Sequence, residues 1–139
     1  MIRVLIADDH QLVRDGLKQI LRTDPGIEVA AEAPTGDEAL ALVKKQEFDV
    51  ALLDMSMPGL SGIALIKRLK AERPKLRILV LSMHGENQYA ARALKAGASG
   101  YLTKDSAPTQ IVAAIRKVAA GGAFISAEVA EQQIGRAHV

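Results

Sequence analysis

The 139-residue sequence has no cysteine, no tryptophan and only two tyrosines and two phenylalanines. Without thiols there is no disulfide framework to read. The first residues, "MIRVLIADDH", lack the basic start, long apolar run and small-residue cleavage site of a signal peptide, so a cytoplasmic location is expected. No apolar run approaches the roughly 18 residues that a membrane helix needs, and no membrane partner is expected. The formal net charge of +2 is too small to argue for nucleic acid by itself. One local excess exists, where Lys67, Arg68, Lys70, Arg73, Lys75 and Arg77 face the single acid Glu72. No aromatics are interleaved there to stack on bases, so the stretch reads as a solvated helix end and loop. A glycine-rich phosphate loop ending in lysine is also missing after the first apolar run, which excludes that mode of nucleotide binding.

What is present is one domain's worth of chain, rich in Ala, Leu, Ile and Val, with alternating short and long patterns. Five apolar runs read as strands: "IRVLIA" from Ile2, "IEVAAEA" from Ile27, "DVALL" from Asp49, "RILVL" from Arg77 and "GYL" from Gly100. Between them, helical spacing shows in Val13, Leu17, Ile20 and Leu21, in Leu65, Ile66 and Leu69, and in Ile111, Ala114, Ile115 and Val118. Alternation of this kind predicts an α/β fold, a doubly wound parallel sheet with right-handed crossovers and helices on both faces. The runs at Val4, Val50 and Leu79 are apolar on both faces and therefore central. "IEVAAEA" alternates, with Glu28 and Glu32 facing away from Ile27 and Val29, and "GYL" is short, so the second and fifth strands are expected at the edges. These expectations suit the strand order 2-1-3-4-5, which opens a ligand crevice beyond the carboxyl ends of the first and third strands.

At that crevice the sequence puts Asp8 and Asp9 after the first strand, Asp54 after the third, Ser82 after the fourth, and Lys104 after the fifth by way of Thr103. Carboxylates gathered at the top of a core repel one another and lose hydration, a costly arrangement unless a cation and an anion sit between them. Magnesium takes oxygen ligands, keeps waters, and accepts one or two carboxylates together with phosphate oxygens, which suits Asp8, Asp9 and Asp54. With Lys104 on the other side, a carboxylate nucleophile could accept a phosphoryl group, and Asp54, alone at the centre, is the candidate. Pro58 and Gly59 suit the central positions of a type II turn that would shape the loop beside it. Taken singly, Asp8 or Asp9 reads equally as a helix cap, Asp54 as a turn residue, Ser82 as a turn hydroxyl and Lys104 as a solvated charge. It is their convergence that points to a site.

The segments "LIADDH", "DVALLDMSMPGLSG", "ILVLSMH" and "AGASGYLTKDSAP" together resemble the receiver domain of bacterial two-component response regulators over residues 1 to about 122. The resemblance implies a flavodoxin-like (βα)5 fold and a phosphorylation-controlled signalling switch rather than a turnover enzyme. It implies that Asp54 is the phospho-acceptor, that Asp9 and Asp54 bind Mg2+ directly with Asp8 helping through water, and that the Ser56 backbone carbonyl completes the protein ligands. Lys104 would contact the phosphoryl group, Ser82 would turn inward to bond it, and Tyr101 would be the aromatic that follows. The resemblance also puts Ser56 and His84 at positions that tune the lifetime of the phosphate, although His84 reads equally as an ordinary loop histidine. The implied partner is a sensor histidine kinase, with homodimerisation on phosphorylation possible. Many receivers carry proline directly after the lysine, often in a cis peptide; here that residue is Asp105, and a cis bond there would cost about 2.5 to 4 kcal/mol. The lysine-aspartate pair resembles the NarL/FixJ subgroup, whose receivers precede a LuxR-type helix-turn-helix.

After Gly121 and Gly122, a helix stop, "AFISAEVAEQQIGRAHV" resembles the start of the linker in that subgroup. Residues 123–139 are too few for a helix-turn-helix, so any contact with DNA would run through a C-terminal domain outside this chain. The expectation is a receiver fragment of a transcriptional regulator; a natural stand-alone receiver is the alternative. The segment "ENQYAARALKAGA" is alanine-rich, with few large apolar anchors beyond Tyr89 and Leu94, and its helix is expected to move most in a switch. Two rival functions remain. A magnesium-dependent phosphatase of the haloacid-dehalogenase type would want a second aspartate two residues after the nucleophile, where Ser56 stands. A binding module that acts without phosphorylation would have no need of the acid, hydroxyl and lysine set. Ile111, Val112, Ile115 and Val118 could spare an apolar strip for a partner, although core packing is their ordinary use.

Overall fold

The strands and helices form where the apolar periods place them. In the computed structural model, which describes residues 1–82 and 87–125 (the side chains of 87–89 excepted), the elements run β1 (Ile2–Ala7), α1 (Gln11–Arg22), β2 (Ile27–Ala33), α2 (Gly36–Lys45), β3 (Val50–Asp54) and α3 (Gly62–Glu72). They continue with β4 (Arg77–Ser82), α4 (Asn87–Ala96), β5 (Gly100–Thr103), α5 (Pro108–Ala119) and β6 (Phe124–Ile125). Local signals set the ends. Thr35 caps α2 by accepting a bond from the Glu38 amide at 3.1 Å, with Asp37 and Glu38 in the first turn and Lys44 and Lys45 in the last, as the helix dipole favours. Pro108 opens α5, where its missing N–H costs nothing.

All strand pairs are parallel, in the order β2-β1-β3-β4-β5-β6. The order through β5 is the one expected. Alternate residues of the central strands feed two cores. Val4, Ile6, Val50, Leu52, Leu79 and Leu81 pack against Leu17 and Leu21 of α1 and Ile111, Ala114, Ile115 and Val118 of α5. Leu5, Ala7, Ala51, Leu53, Ile78 and Val80 pack on the other face against α2, α3 and α4. The α5 stripe is thus core, while Val112 is only partly buried.

Two expectations are corrected. The fifth strand is not an edge: β6 pairs with it, Gly100 with Phe124 and Tyr101 with Ile125, so the sheet extends into the stretch read as a tail. The residues 126–139 lie outside the described ones. In β2, Glu28 and Glu32 do not share one outward face. The pairing steps from Val4 opposite Val29 to Leu5 opposite Ala31, and the extra residue reverses the facing of everything after it. Ile27 and Val29 face α1, Ala31 and Ala33 face the opposite core, and Glu32 comes round to α1, bonded by Arg14 at 3.1 Å and Lys18 at 2.9 Å.

The basic run after Lys67 serves the fold. Lys70 donates to the carbonyls of Pro74 (2.7 Å) and Leu76 (2.9 Å), and Arg73 donates to the Val43 carbonyl at the end of α2 (3.0 Å). These bonds satisfy carbonyls that helix ends and loops leave open.

Glycine positions separate free from crowded backbone. A Cβ at Gly16, in mid-α1, meets nothing within 4 Å, whereas one at Gly36 would lie 1.7 Å from the Leu60 carbonyl oxygen. Gly16→Ala is expected to stabilise the chain by about 0.5–1 kcal/mol, and Gly36→Ala to destabilise it by about 1–3 kcal/mol. Urea unfolding of the two variants checks both signs.

Candidate functional site

Because every strand is parallel, all carboxyl ends lie along one edge, and the register sets the neighbours. Ala7 is paired with Leu53, Asp54 with Leu81, and Ser82 with Thr103, so Asp8 follows β1 directly beside Asp54 at the end of β3. The Lys104 amide donates to the Ser82 carbonyl at 2.7 Å and carries the ladder one residue further. Asp8 and Asp54 are buried, with side chains only 3% exposed.

Lys104 joins the two acids. Its Nζ lies 3.0 Å from Asp8 Oδ2 and 3.3 Å from Asp54 Oδ1. Asp8 is otherwise spent: its Oδ1 accepts from the His10 amide at 2.8 Å, a turn at the entrance of α1, and His10 Nδ1 stands 3.2 Å away. Arg14 Nη1 anchors the Asp8 carbonyl at 2.7 Å. Asp54 Oδ1 accepts in addition from the Ser56 amide at 3.2 Å. Two carboxylate oxygens remain. Asp9 Oδ1 and Asp54 Oδ2 are buried without a hydrogen-bond partner among the described residues, although His10 Nδ1 is within 3.0 Å of the former, out of hydrogen-bond alignment.

The electrostatics follow from this crowding. Burial, then the charge of Asp8, pushes the Asp54 carboxyl above its usual range, against the opposing effects of Lys104 and the Ser56 amide. For Lys104, burial is the largest single influence and lowers it. The hydrogen bond that Lys104 donates to Asp8 and the charges of Asp54 and Asp8 together outweigh burial and leave the ammonium raised.

One ligand atom from each of Asp8, Asp9, His10 and Asp54 falls within 4.8 Å of the others. Orphaned buried carboxylate oxygens in such a group fit a hard divalent cation such as Mg2+. In the neighbouring loop Gly59 has φ +74°, the positive value that the third position of a type II turn requires, while the Leu60 amide donates to Asp37 Oδ2 at 3.4 Å. On the other side Thr103, buried, donates through its hydroxyl to Asp105, and the Ser106 amide returns to the Thr103 carbonyl at 3.1 Å. The Lys104–Asp105 peptide is trans, as no described peptide bond is cis. Asp105 thus supplies a side-chain bond where proline has none.

Ser82 stands at the end of β4, half-buried, and Ser56 is exposed. Tyr101 is fully buried in the core on the α2, α3 and α4 face. His84 lies outside the described residues. The residue that sequence reasoning passed over is His10; its signal was "DDH", an imidazole directly after two acids at a helix start.

The raised Asp54 carboxyl has a signed consequence. The folded chain holds that proton more tightly than the unfolded chain, so the penalty is absent below the ordinary value of 3.8 and grows as pH rises through the raised one. With a chelator present, Asp54→Asn is expected to raise the urea midpoint near neutral pH, the difference closing as pH falls toward 4. A difference that holds constant with pH would contradict this.

Residues 4–116 match the family described as the response regulator receiver domain. The chain is 41% identical over 132 residues to the response regulator UvrY of Escherichia coli (strain K12), covering 95% of this chain and 61% of UvrY. It thus spans about three fifths of that relative. Among solved structures, a LuxR-family two-component response regulator from Aurantimonas sp. SI85-9A1 superposes with a TM-score of 0.94 at 34% identity, over 99% of this chain and 98% of the other. The isolated REC domain of RcsB from Salmonella enterica serovar Typhimurium gives 0.87 at 30% identity, over 94% and 96%. The sheet, the converging acids and these likenesses agree: the chain belongs to the response regulator receiver domain family of two-component signalling.

Proposed function

We propose that Asp54 accepts a phosphoryl group from a sensor histidine kinase and that the charge added there switches the surface of the domain. The observation that carries this reading is Asp54 Oδ2, a buried carboxylate oxygen with no hydrogen bond among the described residues, on a residue whose other oxygen is held by Lys104 and the Ser56 amide. Such an oxygen is fixed in direction and poorly solvated, which suits a nucleophile. It attacks phosphorus as the P–N bond of the donor phosphohistidine breaks, and the imidazole leaves neutral when its other nitrogen carries a proton. Lys104 stays beside the phosphoryl oxygens, and Asp8 holds Lys104 there. Asp9, Asp54 and the Ser56 carbonyl would hold Mg2+, with Asp8 helping through water. When bound, the ion would offset the charge of the phosphoryl oxygens.

The aspartyl phosphate adds charge and acceptor oxygens at the end of β3, and the Ser82 hydroxyl on β4 turns to meet them. The next element, α4, responds. Its described side chains put only Ala90 and Ala93 fully into the core, each worth about 0.8 kcal/mol per buried carbon against about 1.5–3 kcal/mol for a buried leucine. Leu94, expected as an anchor, is only half-buried and joins neither core; the Tyr89 side chain lies outside the described residues. Tyr101, on β5 beside α4, would follow the change.

In the whole protein, residues 1–122 would be the receiver and 123–139 the start of a linker to a DNA-binding domain that controls transcription in the cytoplasm. One related structure holds RcsB dimers bound to DNA, and the isolated RcsB receiver was solved with a phosphomimetic BeF3−. Among the described residues no helix is long and apolar enough to cross a membrane.

Incubation with Mg2+ and a small acyl phosphate is expected to add one phosphoryl group by intact mass, lost in Asp54→Asn and slowed by roughly tenfold or more in Lys104→Ala. No gain in the parent chain would contradict the reading. Hydrogen exchange on the phosphorylated chain is expected to change more in α4 than in α1 or α5; an unchanged α4 would remove it as the moving element.

A further inference from the structure

His10 heads α1 with its ring at the rim of the acidic site, 64% exposed, its Nδ1 at 3.0 Å from Asp9 Oδ1 and 3.2 Å from Asp8 Oδ1. Around an octahedral ion with bonds of about 2.1 Å, adjacent donors stand about 3.0 Å apart and opposite donors about 4.2 Å. The imidazole and Asp9 already have the separation of adjacent ligands. The ligand atoms of Asp8, Asp9, His10 and Asp54 all lie within 4.8 Å of one another. Independently, Asp54 Oδ2, on a side chain 3% exposed, has no hydrogen-bond partner among the described residues and belongs to the same group of acids.

We infer that His10 is a protein ligand of the cation site and gives that site a preference for a first-row transition ion over magnesium. The inference rests on the reading that the acids hold a divalent cation. An imidazole nitrogen adds little for Mg2+, which prefers oxygen donors and keeps its waters. It adds much for cobalt, nickel or zinc, whose affinities for mixed nitrogen and oxygen sites rise along the series from manganese. Two carboxylates and a histidine on one short turn, "DDH", form such a mixed set. An alternative role is mechanical: His10 Nδ1 could simply steady Asp8, in which case its loss would weaken every cation alike.

Calorimetric titration of the untagged 139-residue chain at one fixed pH near neutrality separates these, with Co2+ and Mg2+ as the probes and visible absorption of Co2+ as a second readout. His10→Ala is expected to weaken Co2+ by about tenfold or more and change its absorption, while Mg2+ affinity stays within about twofold. Asp54→Asn is expected to weaken both ions. Equal losses for both ions in His10→Ala, or no loss of Co2+, would overturn the ligand role. So would Co2+ that still binds tightly to Asp54→Asn, since it would then sit elsewhere. Failure of both ions to bind the parent chain would instead overturn the cation site itself.

Discussion

Two buried carboxylates share one ammonium at the top of this sheet, and the sharing is incomplete. Lys104 reaches Asp8 at 3.0 Å and Asp54 at 3.3 Å, Asp9 stands alongside, and two buried oxygens are left without a hydrogen bond among the described residues. A fold optimised for stability alone would not keep that arrangement, because burying like charges raises the energy of each. Here the strain is local. It leaves the surrounding strands intact, and on the proposed reading a cation supplied from outside would relieve it.

The rest of the fold holds those groups in place. Parallel pairing brings the ends of β1, β3, β4 and β5 to one edge, and the residues below the acids on each strand are fully buried on both faces. Bonds from the loops finish the placement: the Ser56 amide to Asp54, the His10 amide and Lys104 to Asp8, Arg14 to the Asp8 carbonyl, and Thr103 to Asp105 behind Lys104. Rigidity is unevenly shared. Helices α1, α3 and α5 send leucine and isoleucine into the core, and among its described side chains α4 sends alanine. A change at the acids therefore meets its least resistance at α4.

Much of this was legible in the sequence because apolar periodicity reports burial directly. The five longer strands, the stripes of α1, α3 and α5 and the convergence of Asp8, Asp54 and Lys104 all follow from it. What was not legible depends on events between elements. The bulge in β2 is one residue of pairing slip, and nothing in "IEVAAEA" distinguishes it from simple alternation. Two residues of β6 carry too little pattern to announce a strand. Lys70 and Arg73 look like solvated charges until the carbonyls they serve are seen. His10 was hidden for a similar reason: a histidine at a helix start reads as surface, and only the distances to Asp8 and Asp9 connect it to the site.

On the proposed reading, Asp54 is held as a frustrated buried carboxylate until a cation arrives. Carbon-13 NMR of the Asp54 carboxyl, titrated over pH in the presence of a chelator and again with Mg2+, tests it most directly. Titration is expected above the ordinary value of 3.8 without the ion, falling when Mg2+ is added. An Asp54 carboxyl that titrates in the ordinary range and ignores Mg2+ would contradict it.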